Sequence, residues 1–93
     1  MSQTAALLGF AARAGGLVSG ENTCRARIKR IHLVVLSADA PVRTQEHFEK
    51  QKPGACYTWG DRNELGRVIG KSPRTVVGIT DPRFARSIRD SLK

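Results

Sequence analysis

Two short apolar runs constrain this chain more than any other feature. Leu33-Val34-Val35-Leu36 is apolar at every position, and Thr75 to Ile79 supplies a second such run, Val76-Val77-Gly78-Ile79. A strand with one wet face alternates between apolar and polar residues. A strand that is apolar throughout needs cover on both faces, as in a sheet with helices packed on each side. The segments between carry helical spacing and helix start signals, so the pattern predicts an α/β fold. The expected architecture is a three-layer α/β/α sandwich around a small sheet. The length, 93 residues, allows one domain (1–93) with one modest core.

Ser2 or Thr4 can cap a first helix in which Leu7, Phe10, Ala11 and Ala14 share one stripe, and Gly15-Gly16 ends it. Leu17-Val18 suffices for a very short strand. A second helix is expected from after Gly20 to about Arg30, with Cys24, Ile28 and Ile31 turned inward. The first apolar run extends the strand reading to 31–37. A charged helix is expected from Pro41 to Lys50, a turn at Pro53-Gly54 and a strand over 55–59. Asp61 with Glu64 three positions on forms a capping-box start for the next helix. After the strand at 75–79, Asp81 and Pro82 open a last helix with Phe84, Ala85, Ile88 and Leu92 facing inward.

Charge narrows the function. Sixteen Lys/Arg against eight Asp/Glu give a net charge of +8, a balance that points to a polyanion, above all nucleic acid. Two segments concentrate it. Residues 22–38 contain Arg25, Arg27, Lys29 and Arg30 without an acid, opposite the apolar face of the second helix. At the start of that helix, Gly20, Asn22 and Thr23 offer backbone N–H groups and an amide that can both donate and accept. Residues 65–80 carry Arg67, Lys71 and Arg74, again acid-free, in the turn Gly70-Lys71-Ser72-Pro73-Arg74. Lysine and arginine there supply phosphate contacts, and both side chains are expected to face water.

Other chemistries are excluded or find no support. Gly70-Lys71-Ser72 suggests a phosphate-binding loop, but that motif needs glycine where Leu65 stands and a strand before the glycine rather than after it. His32 and His47 have no serine or cysteine arrangement around them that would make a triad. Asp39 ends a strand but lacks the early acidic pair of a phospho-acceptor domain, and reads as a cap or turn residue. Cys24 and Cys56 lack the paired spacing of a zinc site and read as buried free thiols. With no membrane-length apolar run and no signal-peptide start, a cytoplasmic protein that is not an enzyme, without metal or organic cofactor and with no membrane association, is expected.

The order of motifs also resembles a known family. Leu-Leu-Gly-Phe-Ala-x-Arg-Ala-Gly-x-Leu-Val-Ser-Gly over residues 7–20, Glu-Leu-Gly-Arg-Val-Ile-Gly-Lys over 64–71 and Val-Val-Gly-Ile-Thr-Asp-x-x-Phe-Ala over 76–85 carry the likeness. The chain resembles the kink-turn RNA-binding ribosomal family of L-seven-Ae and L-thirty-e type, especially its small bacterial YlxQ-type branch. The resemblance implies a mixed four-stranded sheet and a ribonucleoprotein role: binding of structured, kink-turn-like RNA, ribosomal RNA and the ribosome among the candidate partners. It places RNA at the start of the second helix, commonly Gly-x-Asn-Glu-x-x-Lys, and at the loop after the Leu-Gly-x-x-x-Gly helix. Gly20 and Asn22 match the first motif, while Thr23 stands at its acid and Ala26 at its lysine, so Arg25 or Arg27 in a shifted register is the substitute. Gly70, Lys71, Ser72 and Arg74 match the second. These departures leave open an assembly or protein-interaction factor of the same fold without tight kink-turn specificity.

Overall fold

Alternation within the first apolar run decides how the layers are stacked. In the computed structural model, which describes residues 2–93, that run is strand β2, Leu33–Leu36. Leu33 and Val35 point to one side of the sheet, where they join Leu8, Ala11, Leu65, Ile69, Val77, Ile79, Ala85 and Ile88. Val34 and Leu36 point to the other and join Cys24, Ile31, Phe48 and Val76. Successive residues thus feed two separate cores, as the period of two requires. The first core is roofed by α1 (Gln3–Arg13), α4 (Arg62–Val68) and α5 (Pro82–Leu92). The second is roofed by α2 (Glu21–Ala26), a 3-10 turn at Ile28–Arg30, and α3 (Val42–Gln51). The expected three-layer α/β/α sandwich is therefore the observed one.

The remaining strands are β1 (Leu17–Ser19), β3 (Cys56–Thr58) and β4 (Val76–Ile79). Their order across the sheet is β1-β4-β2-β3. β4 runs antiparallel to both of its neighbours, with Gly78 opposite Val18 on one side and Val34 on the other, while β2 and β3 are parallel. The sheet is mixed, and β4 and β2 occupy its centre, where strands apolar on both faces belong. Gly78 is the one small residue of β4: a Cβ there would collide with Ile31, which packs across it.

Caps set the helix limits. Ser2 caps α1 by accepting from the Ala5 N–H, and α1 ends in a Schellman motif, with Gly16 N donating to Ala11 O at 2.8 Å and Gly15 N to Ala12 O at 3.2 Å. Asp61 and Glu64 form the expected capping box, and Asp81 caps α5 with Pro82 at its first position.

Two expectations are corrected. The buried stripe of α1 is Thr4, Ala5, Leu8 and Ala11, so Phe10 is half exposed and Ala14 exposed. The second helix stops at Ala26, where Arg27 leaves helical geometry (φ −111°, ψ 20°) and a 3-10 turn carries the chain on to Ile31. The strands expected at 31–37 and 55–59 are trimmed at both ends, and that at 75–79 loses only its first residue. Cys24 is fully buried and Cys56 half-buried; both are free, and burial pushes their thiols up to about 12 and about 11. Neither is poised to react.

Candidate nucleic-acid interface

Antiparallel pairing of β1 with β4 brings the end of one beside the start of the other. Gly20 N donates to Val76 O at 3.0 Å, and Ser37 N, just past β2, donates to Thr75 O at 2.9 Å. The start of α2 and the loop that precedes β4 therefore meet at one end of the sheet. Between them lies an open cleft of about 430 Å³, lined on one side by Ser19, Gly20, Glu21, Asn22 and Thr23 and on the other by Arg62, Pro73, Arg74 and Thr75.

Gly20 shapes the first wall. Its φ of 93° and ψ of 147° lie in a region almost confined to glycine. Nothing lies within 4 Å of where its Cβ would be, so the backbone and not the space demands glycine here. As the residue before α2 it brings no side chain to cap the helix. The first-turn N–H groups, with the exposed Asn22 and Thr23, therefore face the cleft uncapped.

The second wall is a loop folded back on its own helix. α4 ends in another Schellman motif, with Lys71 N donating to Gly66 O at 2.8 Å and Gly70 N to Arg67 O at 3.0 Å. The loop then passes so close over α4 that a Cβ at Gly66 would clash with the Ser72 carbonyl and stand 2.9 Å from Pro73 Cα. Arg74 fastens it. Its Nε donates to Ser19 Oγ at 3.2 Å, and its Nη1 donates to Ser72 Oγ at 2.7 Å and to the Ser72 and Pro73 carbonyls at 3.1 and 3.2 Å. Arg74 is accordingly half-buried, which corrects the expectation that it faces water; Lys71 is exposed as expected.

Sequence reasoning missed Arg62. Its backbone N and Nε donate to the Asp39 carboxylate and its Nη2 to the Asp39 carbonyl, all at 3.0 Å. Asp39, expected to be a turn residue, is thus also the group that holds Arg62 at the cleft. The only local signal was Arg62's position directly after the Asp61 cap.

The other predicted cations divide. Arg25 turns away from the cleft towards α3: its guanidinium meets Glu21 at 3.3 Å, shares a hydrogen bond with His47 Nδ1 at 3.2 Å and lies 5.9 Å over the Phe48 ring. Arg27 is exposed, with Lys29 and Arg30, on a separate basic surface. Glu21 also lines the cleft, as its one acid, and its carboxylate is engaged by Arg25 and by α3. The Thr44 hydroxyl donates to its Oε1 at 2.7 Å. That bond, against the opposing effect of burial and with further help from the Arg25 contact, holds its carboxyl below the usual carboxylate range. The fold thus unites Gly20, Asn22, Thr23 and Arg74, keeps Lys71 and Ser72 on the adjoining loop, and leaves Arg25 and Arg27 outside.

Two curated relatives fix the family. The chain is 37% identical over 91 residues to the RNA-binding protein YlxQ of Bacillus subtilis, covering 88% of this chain and 87% of that protein. It is 30% identical over 92 residues to the RNA-binding protein YlxQ of Enterococcus faecium, covering 94% and 88%. The chain belongs to the YlxQ family. That is a family of RNA-binding proteins and not of enzymes, in agreement with the expectation from the motifs. No protein-family model matches the chain. Among solved structures, the YlxQ-family fold superposes on a protein of unknown function from Bacillus halodurans C with a TM-score of 0.93, at 32% identity over 99% of this chain and 98% of that one. The Giardia lamblia 15.5kD RNA binding protein shares the fold at a TM-score of 0.76 and 24% identity, over 95% and 80% of the two chains.

Proposed function

We propose that this chain binds structured RNA of kink-turn type, in the cytoplasm and in association with the ribosome, through the cleft between α2 and the Gly70–Arg74 loop. Membership of an RNA-binding family supports RNA as the ligand. The observation that carries the choice of site is the convergence of Gly20–Thr23 with Pro73–Thr75 across the β1/β4 pair. In this reading the uncapped N–H groups of α2 and the Arg62, Lys71 and Arg74 cations take phosphate oxygens, while the Asn22 amide reads an exposed base edge. A kinked helix suits such a cleft, because its unstacked nucleotides present edges that a continuous RNA duplex hides. Arg25, tied to Glu21 and His47, contributes to the field more than to a contact. A second reading, an assembly factor without tight kink-turn specificity, draws on Thr23 and Ala26 at the family's acidic and lysine positions.

The two readings part at Asn22. This side chain is neutral, so Asn22→Ala leaves the field intact. On a kink-turn RNA the substitution should cost about 1–3 kcal/mol, the usual worth of a good base contact. On a plain duplex of equal length at the same salt it should cost much less, because phosphate attraction dominates there. An unchanged ratio of the two affinities would remove base readout from this cleft and favour the second reading.

A further inference from the structure

The first helix carries a surface that the RNA cleft does not use. The α1 stripe expected to face the sheet is rotated, and Phe10 is left 50% exposed on the outer side of the helix. Beside it, α1 and α4 cross closely: a Cβ at Gly9 would stand 3.3 Å from the Val68 carbonyl oxygen. The crossing leaves a groove of about 440 Å³ whose floor is Ala6, Gly9 and Val68 and whose wall is Phe10. It runs on past Ala5 and Val68 towards Trp59. Between α1 and α4 its charged members are Arg13, whose guanidinium lies 4.9 Å over the Phe10 ring, and Arg67; an acid, Glu64, enters only on the continuation towards Trp59.

We infer that this groove docks a protein segment that places an apolar side chain on the Ala6–Gly9–Val68 floor and acidic residues against Arg13 and Arg67. Charge complementarity selects that occupant. A second copy of the chain would bring its own net charge of +8 to a rim that is already cationic. RNA would find phosphate partners at the rim but no side chain on the floor to read a base edge, and one face of Phe10 is already covered by Arg13. An apolar anchor with a ring of opposite charge is the usual composition of a small protein interface. The groove and the RNA cleft share no lining residue, so neither partner takes a contact from the other.

A photoreactive benzoylphenylalanine at position 10, in the full chain expressed in its native cells, tests this. The control is the same probe at Val42, the other exposed large apolar residue among those described. The expected result is one discrete protein adduct absent from the Val42 control. Its crosslinked peptide should carry an apolar residue within a helical turn of Asp or Glu. Arg13→Glu with Arg67→Glu should reduce that adduct at least about tenfold, since like charges would then face each other. Should the double variant fail to fold, Arg13→Gln and Arg67→Gln singly take its place and should each reduce the adduct. Phe10→Ala should leave RNA affinity unchanged. Crosslinks to nucleotides or to a second copy, a peptide without acid, yields no different from the Val42 control, or an adduct indifferent to the arginines would each overturn the inference.

Discussion

Lys71 and Arg74 belong to one turn and have different neighbours. Lys71 is exposed and donates only its backbone N–H, so Lys71→Ala should remove a phosphate contact without disturbing the fold. The log–log salt slope of RNA binding should fall by roughly 0.7 to 0.9, with stability within about 0.5 kcal/mol of the parent. Arg74 bonds to Ser19, Ser72 and Pro73, so Arg74→Ala should weaken RNA binding and also cost about 1–2 kcal/mol of stability. Denaturant midpoints of the two variants decide this; equal midpoints would mean that the Arg74 tether stabilises nothing. Glu21 gives a pH signature. Its carboxyl is held below its ordinary value in the folded chain, so the stability it contributes is full above the unfolded value and fades as pH falls through the folded one. Thr44→Val removes the hydroxyl chiefly responsible. The stability gap between parent and variant should be widest near neutral pH and shrink on the acid side of the carboxylate range. A gap that is constant with pH would show that the loss is one of packing.

Helix α4 positions the 70–74 loop through a single glycine. Gly66→Ala would push a methyl group into the Ser72 carbonyl and against Pro73, forcing the loop outward. The expected cost is about 1–3 kcal/mol in stability, the range for overpacking, together with a loss of RNA affinity although no RNA contact is removed. Unchanged thermal stability and affinity would show that the loop can stand off from α4 freely. The elements themselves were largely legible in the sequence. β2 and β4 are apolar at every position and admit one environment, and Asp61–Glu64 and Asp81–Pro82 carry cap chemistry that works locally. The α1 stripe was not legible, because helical spacing fits two adjacent stripes. Leu7-Phe10-Ala11-Ala14 has the larger side chains, but the close approach to α4 at Gly9 favours the small residues Ala5 and Ala11, with Leu8 between them. The end of α2 was hidden for a similar reason: Ile31 packs over Gly78 of a strand distant in sequence, after a tighter 3-10 turn. At the cleft, Gly20, Asn22 and the 70–74 loop were visible as local motifs. Arg62 was not, since its placement depends on Asp39, 23 positions away.

At the scale of the molecule, two cores on opposite faces of one sheet leave both ends of the strands free to carry loops. One end holds the cleft. Three ion pairs, Arg25–Glu21, Arg62–Asp39 and Arg83–Asp81, form among the described residues, all with at least one exposed partner. Most of the excess positive charge thus faces solvent, where it attracts RNA to much of the surface without choosing a site. No helix among the described residues is long and apolar enough to cross a membrane. In the proposed reading selection comes from the cleft, and that can be observed directly by following backbone amide resonances during titration with a kink-turn RNA and with a plain duplex. With the kink-turn RNA, the largest shifts should fall on Gly20–Thr23, Arg62 and Lys71–Thr75 and should persist as salt is raised; with the duplex they should be diffuse and fade. Shifts centred on Arg27–Arg30 or on α5, or the same pattern for both RNAs, would contradict the assignment of this cleft.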